Sequence, residues 1–286
     1  MKSLIIQNSP QQNYVYFFHI PKTAGASVWQ FIHQMYPAER ICPWWLWDQL
    51  ITVPSNELRS WTVFRGHFLS HLEAHLQVPL ATFTVLRDPV ERTISHYYHV
   101  RSAPEHPFHK HASGMTLAEF CDHPETRHMV ENYQAAYLAK KPCVPITIAH
   151  DLTRAQLESF QLQQRLQYPD KVANPTALLD AAESRLAGFL AVGITELLDE
   201  SLVLCSRELG CSTPLAIEPQ NVNPQRARTD TVDRCTLARI RQLTEVDQHL
   251  YQRALSAHRD KWKRTGCILA TAPTELPVSE ASLRRN

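Results

Sequence analysis

The chain has 286 residues, 44% of them hydrophobic, which is enough for a sizeable core in one α/β domain or two small ones. Its 29 lysines and arginines nearly balance 28 acidic residues, for a formal charge of +1. That excludes broad electrostatic affinity for nucleic acid or acidic membranes and leaves room only for local anion pockets.

Seven scattered cysteines, at 42, 121, 143, 205, 211, 235 and 267, form no CxxC pair. Neither a disulfide framework nor a structural zinc site is expected from them, and a reducing, cytoplasmic setting fits best. No run approaches the roughly 18 apolar residues of a membrane helix. The apolar stretch before Gln7 is too short for a signal peptide.

Residues 14–20 (YVYFFHI) form an unbroken apolar and aromatic run, as expected of a strand buried on both faces of a parallel sheet. Pro21-Lys22-Thr23-Ala24-Gly25 breaks it, and from Ala26 onward Val28, Phe31, Ile32 and Met35 fall on one helical face. Residues 61–64 (WTVF) predict a short strand leading into Arg65-Gly66-His67. Residues 81–86 (ATFTVL) predict a buried strand, after which Asp88 supplies an N-cap and Pro89 the first position of a helix running to about Arg101.

Residues 101–113 read as loop, and Thr116 with Glu119 as a capping box. Residues 127–139 have helical composition, Asp151 caps another helix, and residues 175–186 form one more. Residues 189–194 (FLAVGI) predict a further buried strand, followed by a helix through Leu209. Prolines at 214, 219 and 224 make residues 211–228 irregular. A long helical region from Thr231 to about Lys263 closes the fold, and residues 268–286 are expected to be a mobile tail. With no internal repeat and no sharp break in composition, residues 1–267 predict one domain.

This alternation predicts an α/β fold, a central parallel β-sheet flanked by helices. Such sheets bind ligands at the carboxyl ends of their strands, so the residues after Ile20, Phe64, Leu86 and Ile194 matter most. After the first strand, a loop feeds a helix N-terminus, where unpaired N–H groups and the helix dipole suit a phosphate or sulfate. Lys22 adds a cation, and Thr23 and Ser27 add hydroxyls. A plain strand-to-helix turn with a surface lysine explains the bare K-T-x-G equally well. It is not a Walker A loop, because no GK[ST] follows a four-residue spacer. After the third strand, Arg87 and Ser95 suit a second phosphate. Asp88 reads as a cap, Arg92 as an ion-pairing residue on the helix face, and Tyr97 and Tyr98 as packing.

The pair FFHIPKTAGAS and LRDPVERTISHYY resembles the 5′-phosphosulfate loop and 3′-phosphate motif of sulfotransferases that use 3′-phosphoadenosine 5′-phosphosulfate (PAPS). It is similar above all to the branch containing heparan sulfate and uronyl 2-O-sulfotransferases and their bacterial relatives. Arg65-Gly66-His67-Phe68 and Val192-Gly193-Ile194-Thr195-Glu196 match in the same order. The resemblance implies a P-loop-like sulfotransferase fold and O-sulfation with PAPS as co-substrate.

It also implies roles. Lys22 would stabilise charge on the leaving phosphate, and Thr23, Ala24, Gly25, Ala26 and Ser27 would hold the 5′ end mainly through backbone N–H groups. Arg87 and Ser95 would hold the 3′-phosphate, and His67 would take the proton of the acceptor hydroxyl, a task suited to its near-neutral pKa. Many relatives carry a hydroxyl residue where this chain has Ala26, which implies weaker donor binding rather than lost activity. Such transfer calls for no metal, and His71, His75 and the group His106, His109 and His111 lack a familiar ligand set.

Asn132 and Gln134 stand where relatives often carry polar residues facing the acceptor. Arg226 and Arg228 lie in a segment expected to fold over the adenine and 3′-phosphate, or else to be a solvated basic loop. Trp44, Trp45 and Trp47 fit a sugar-stacking platform, buried core or a lipid-like pocket alike. The acceptor implied is a hydroxyl-bearing glycan, glycolipid or metabolite, with no nucleic acid partner. The competing readings are a P-loop-like nucleotide kinase, opposed by the missing GK[ST], and a non-catalytic binding module on the same fold.

Overall fold

The computed structural model describes residues 14–50, 53–141, 174–211 and 229–266. Four strands, β1 (Val15–Phe18), β2 (Val63–Gly66), β3 (Ala81–Leu86) and β4 (Ala191–Ile194), form one parallel sheet in the order β2-β1-β3-β4. Register sets Phe17 beside Arg65 on one side and Phe83 on the other, and Phe83 beside Ala191. The two central strands are buried at every position, which is why their sequences run apolar without alternating.

Alternate side chains feed two cores. Tyr16, Phe18, Phe64 and Leu86 pack with α5 (Tyr133–Ala139), α6 (Pro175–Ala187) and α9 (Glu245–Thr265), which contribute Tyr137, Leu178 and Leu250. Val15, Phe17, Val63, Phe83 and Val85 pack on the other face against Val28, Phe31 and Ile32 of α1 (Gly25–Met35) and Leu202 and Cys205 of α7 (Leu198–Glu208). Helices α2 (His71–Leu76), α3 (Pro89–Ser102), α4 (Leu117–Asp122) and α8 (Arg234–Leu243) complete the described helices of more than four residues. A third apolar cluster joins α3, α4 and α8 through Val90, Ile94, Phe120 and Ile240. Each fully buried phenylalanine or leucine in these clusters contributes about 1.5–3 kcal/mol relative to exposure.

The local signals have the expected outcomes. Asp88 accepts from the N–H groups of Val90 and Glu91, both at 3.0 Å, and Thr116 with Glu119 forms the capping box. Tyr97 is buried against Phe120.

Elsewhere tertiary contacts revise the expectation. The second strand occupies residues 63–66 rather than 61–64, because β1 offers ladder partners as far as Phe18, opposite Gly66. A short helical turn, His109–Ala112, interrupts the predicted loop. The helical stretch 127–139 breaks at Asn132, whose φ is 44° and whose N–H donates to Leu243 O at 3.0 Å. The closing helix divides at Thr244, which ends α8 and occupies the N-cap position of α9 without a side-chain cap bond. Arg92 is not a surface ion-pairing residue. It is fully buried, donates to Met129 O at 2.5 Å and lies 4.3 Å over the Tyr133 ring. The helix expected after Asp151, residues 212–228 and the tail 268–286 lie outside the described residues.

Beyond β2 an extended segment covers the sheet edge, with bridges Ile41–Val63 and Leu46–His67. Its backbone accepts from His67 N–H at Trp45 O, 2.8 Å. Gly66, with φ 151°, is required there, since a Cβ would stand 2.3 Å from Trp45 O. The tryptophan-rich segment therefore fixes the backbone of His67.

Candidate active site

The loop after β1 turns sharply. Lys22 and Ala24 adopt left-handed φ values of 72° and 62°, a conformation costing a non-glycine residue about 1–3 kcal/mol and retained chiefly where function needs it. Ala24 is the N-cap of α1 and contributes no side-chain cap. The first-turn N–H groups at Gly25, Ala26 and Ser27 have no intrahelical acceptor by helix geometry and point out of the N-terminus. Thr23 is buried, and its hydroxyl donates to Ile20 O at 2.8 Å, so its proton closes the loop instead of extending into the site. Gly25 has a local reason as well. A Cβ there would lie 2.1 Å from His19 Nε2, because the His19 ring covers it.

At the end of β3, Arg87 joins the β3–α3 segment directly to the loop after β1, donating from Nη1 to Lys22 O at 3.1 Å. It also approaches Glu91 at 3.6 Å and Glu196 at 4.0 Å, distances longer than a tight charge-assisted bond. Glu196, from the Val192–Glu196 match, accepts from Asp88 N–H at 3.1 Å and from the Tyr251 hydroxyl at 3.0 Å. Burial raises its carboxyl above the usual range. Ser95 is partly exposed on α3, two turns beyond Arg87.

His67 follows β2, next to the first loop. Its ring stacks on His19 with centroids 4.5 Å apart, and His19 stacks on Phe17. Nδ1 lies 2.9 Å from His19 O and 3.1 Å from the Tyr137 hydroxyl. A carbonyl can only accept, so Nδ1 carries the hydrogen and Nε2 the lone pair. Burial, assisted by the Arg65 charge and opposed by the bond to His19 O, holds the ring down to about 4. At neutral pH it is uncharged, with Nε2 the basic atom.

Asn132 and Gln134 are placed differently from the acceptor-facing expectation. Asn132 Oδ1 accepts from Val246 N–H at 3.0 Å, capping α9. Gln134 is buried, its amide accepting from Arg87 N–H at 3.0 Å and donating to Arg87 O at 2.8 Å. Both side chains hydrogen-bond backbone, Asn132 at the start of α9 and Gln134 at the end of β3. Asp247, buried in α9, accepts from the N–H groups of Gln134 and Ala135 at 3.0 and 2.7 Å, and burial pushes its carboxyl up to about 6.

Helix α5 thus carries Gln134 to Arg87 and Tyr137 to His67. The contacts of Tyr137 and Glu196 were missed in the sequence. A tyrosine in an apolar helical run carries no local sign of what its hydroxyl meets.

The remaining histidines and tryptophans divide between core and surface. His71 is buried and stacked on Trp47 at 4.8 Å, and His75 bonds Val53 O at 3.0 Å. Trp44 packs edge-on against Trp61, while Trp45 is 51% exposed beside the site. Arg65 lies over Trp29, 3.1 Å from its ring centre. Among the described residues no group of three or more His, Cys, Asp or Glu could hold a metal ion, and no helix is long and apolar enough to cross a membrane. Arg226 and Arg228 lie outside the described residues.

A model of the sulfotransferase family matches residues 9–175, over half of the chain. Heparan-sulfate 6-O-sulfotransferase 1 of Homo sapiens is 25% identical over 300 residues, covering 87% of this chain and 67% of its own length. The chain is thus similar to a heparan sulfate O-sulfotransferase. The relative matched is a 6-O- and not a 2-O-sulfotransferase.

Proposed function

Because the chain belongs to the sulfotransferase family, we propose that it transfers a sulfuryl group from PAPS to a hydroxyl of a carbohydrate, glycolipid or small-molecule acceptor. The observation that carries this reading is the placement of His67. Its Nδ1 is tied to the carbonyl of His19, three residues before Lys22, which leaves Nε2 as the basic atom of the neutral ring. The donor supplies a sulfuryl group on a phosphate that leaves readily.

The residues supply the rest. Nε2 of His67 removes the acceptor proton as the new O–S bond forms. Lys22 and the N–H groups of Gly25, Ala26 and Ser27 meet the charge that develops on the phosphate as the old S–O bond breaks. Arg87 and Ser95 hold the 3′-phosphate at the adjoining strand end. As in phosphoryl transfer, positioning and charge stabilisation carry most of the catalysis.

The matched relative is named for heparan sulfate, which favours a glycan hydroxyl among the acceptors. Exposed Trp45, whose backbone carbonyl accepts from His67 N–H, supports the same choice.

Titration calorimetry with 3′-phosphoadenosine 5′-phosphate tests the donor half, and binding is expected. His67→Ala should bind this nucleotide about as well as the native protein yet turn over no labelled donor. Absence of nucleotide binding by the native chain would remove the basis of the proposal.

A further inference from the structure

His67 has an unusual set of neighbours for a histidine base. A catalytic imidazole is commonly oriented by a carboxylate, which also stabilises the imidazolium. Among the described residues, no carboxylate is among the groups acting on His67. From the end of β1 it faces the neutral, stacked His19 ring and the His19 carbonyl. From its own strand it feels the cation of Arg65, and from α5 it meets the Tyr137 hydroxyl. Lys22 acts on the stacked His19. This setting opposes a positive ring, and the His19 carbonyl counters it.

We propose that the Tyr137 hydroxyl is a second acceptor for His67 Nδ1–H, and that with the His19 carbonyl it stabilises the imidazolium formed when Nε2 takes a proton. The hydrogen count leads there. Nδ1 carries its hydrogen because a carbonyl oxygen lies 2.9 Å away. The opposite tautomer would set a nitrogen lone pair against the carbonyl lone pairs at that distance. A protonated Nδ1 cannot accept, so the phenol 3.1 Å away meets it through oxygen. The two acceptors share one hydrogen, and both bonds strengthen when the ring becomes charged.

Tyr137 is built to hold that position. It is 3% exposed, edge-on to Phe18 at 84° and to His67 at 87°, and stacked on Tyr133. It is a positioning residue, acting through His67 and not on the acceptor. Its catalytic consequence rests on the sulfotransfer reading, whereas its hydrogen bond does not.

The test is ¹⁵N NMR of histidine-labelled protein, with the His67 signals assigned by their loss in His67→Gln. The native protein should show Nδ1 protonated and Nε2 bare. Tyr137→Phe should keep that tautomer, move the His67 protonation midpoint to lower pH and lower kcat about tenfold, or ~1.4 kcal/mol, with donor affinity unchanged. The acid limb of its pH–rate profile should move down with the midpoint. A native Nε2–H tautomer, or a midpoint in Tyr137→Phe that is unchanged or raised, overturns the proposal.

Should Tyr137→Phe fail to fold, 3-fluorotyrosine at 137 weakens the oxygen as an acceptor without leaving a cavity. It should shift the midpoint down by less, and no shift counts against the proposal. If the NMR results hold but the protein neither binds 3′-phosphoadenosine 5′-phosphate nor turns over donor, the sulfotransfer reading fails and the hydrogen bond stands.

Discussion

Gln134→Ala separates two roles for a residue whose position suggests the acceptor and whose contacts point to the donor. The Gln134 amide makes both hydrogen bonds to the Arg87 backbone, at 3.0 and 2.8 Å. Truncation leaves that N–H and C=O at a partly buried strand end without those partners. A buried group left unsatisfied costs about 1–3 kcal/mol, so two of them, with some relief from entering water, should destabilise the fold by about 2–4 kcal/mol. A protein of this kind has about 5–15 kcal/mol in total, so the variant should fold with a clearly lower denaturation midpoint.

The same loss frees Arg87, which ties to Lys22 O at 3.1 Å and, under the proposed function, holds the 3′-phosphate. Affinity for 3′-phosphoadenosine 5′-phosphate should fall about tenfold or more, each tenfold being ~1.4 kcal/mol, while KM for the acceptor changes little. Urea denaturation reads the first effect and titration calorimetry the second. Unaltered stability and donor affinity with a raised acceptor KM would refute this reasoning and return Gln134 to the acceptor side.

Lys22→Ala should reduce kcat by at least about 10²–10³, the scale for losing one group that stabilises transition-state charge, and single-turnover assays measure it directly. Gly25→Ala sets a methyl 2.1 Å from His19 Nε2 and should cost about 1–3 kcal/mol as overpacking. It should also displace the ring stacked on His67, and an unchanged urea midpoint would contradict that packing. Burial holds His67, His99 and His128 at about 4, against an ordinary 6.5. The unfolded chain therefore binds more protons as pH falls from 6.5 toward 4, and stability should drop through that window while staying level above it. Turnover, which needs neutral His67, should hold through neutrality and fall as pH approaches 4.

Much of this protein was legible in short stretches of sequence. The apolar run of residues 14–20 and the run 81–86 marked strands of a parallel sheet, because a strand covered on both faces has no polar side to show. Asp88 and the Thr116–Glu119 pair marked helix starts, because a cap satisfies N–H groups two or three residues away. The two segments proposed to hold the donor stood out for the same reason. A loop feeding a helix N-terminus is built from consecutive residues.

The tertiary structure decided what those segments meet. Asn132 and Gln134 hold backbone instead of facing an acceptor, Arg92 is buried, and the last helix breaks at Thr244. His67 finds Tyr137 across 70 residues of chain, Gln134 finds Arg87 across 47, and Asp247 finds Gln134 across 113. No local pattern encodes such pairs. Each forms because packing α5 against the sheet buries polar groups, which must then find partners among whatever distant residues the fold brings within reach.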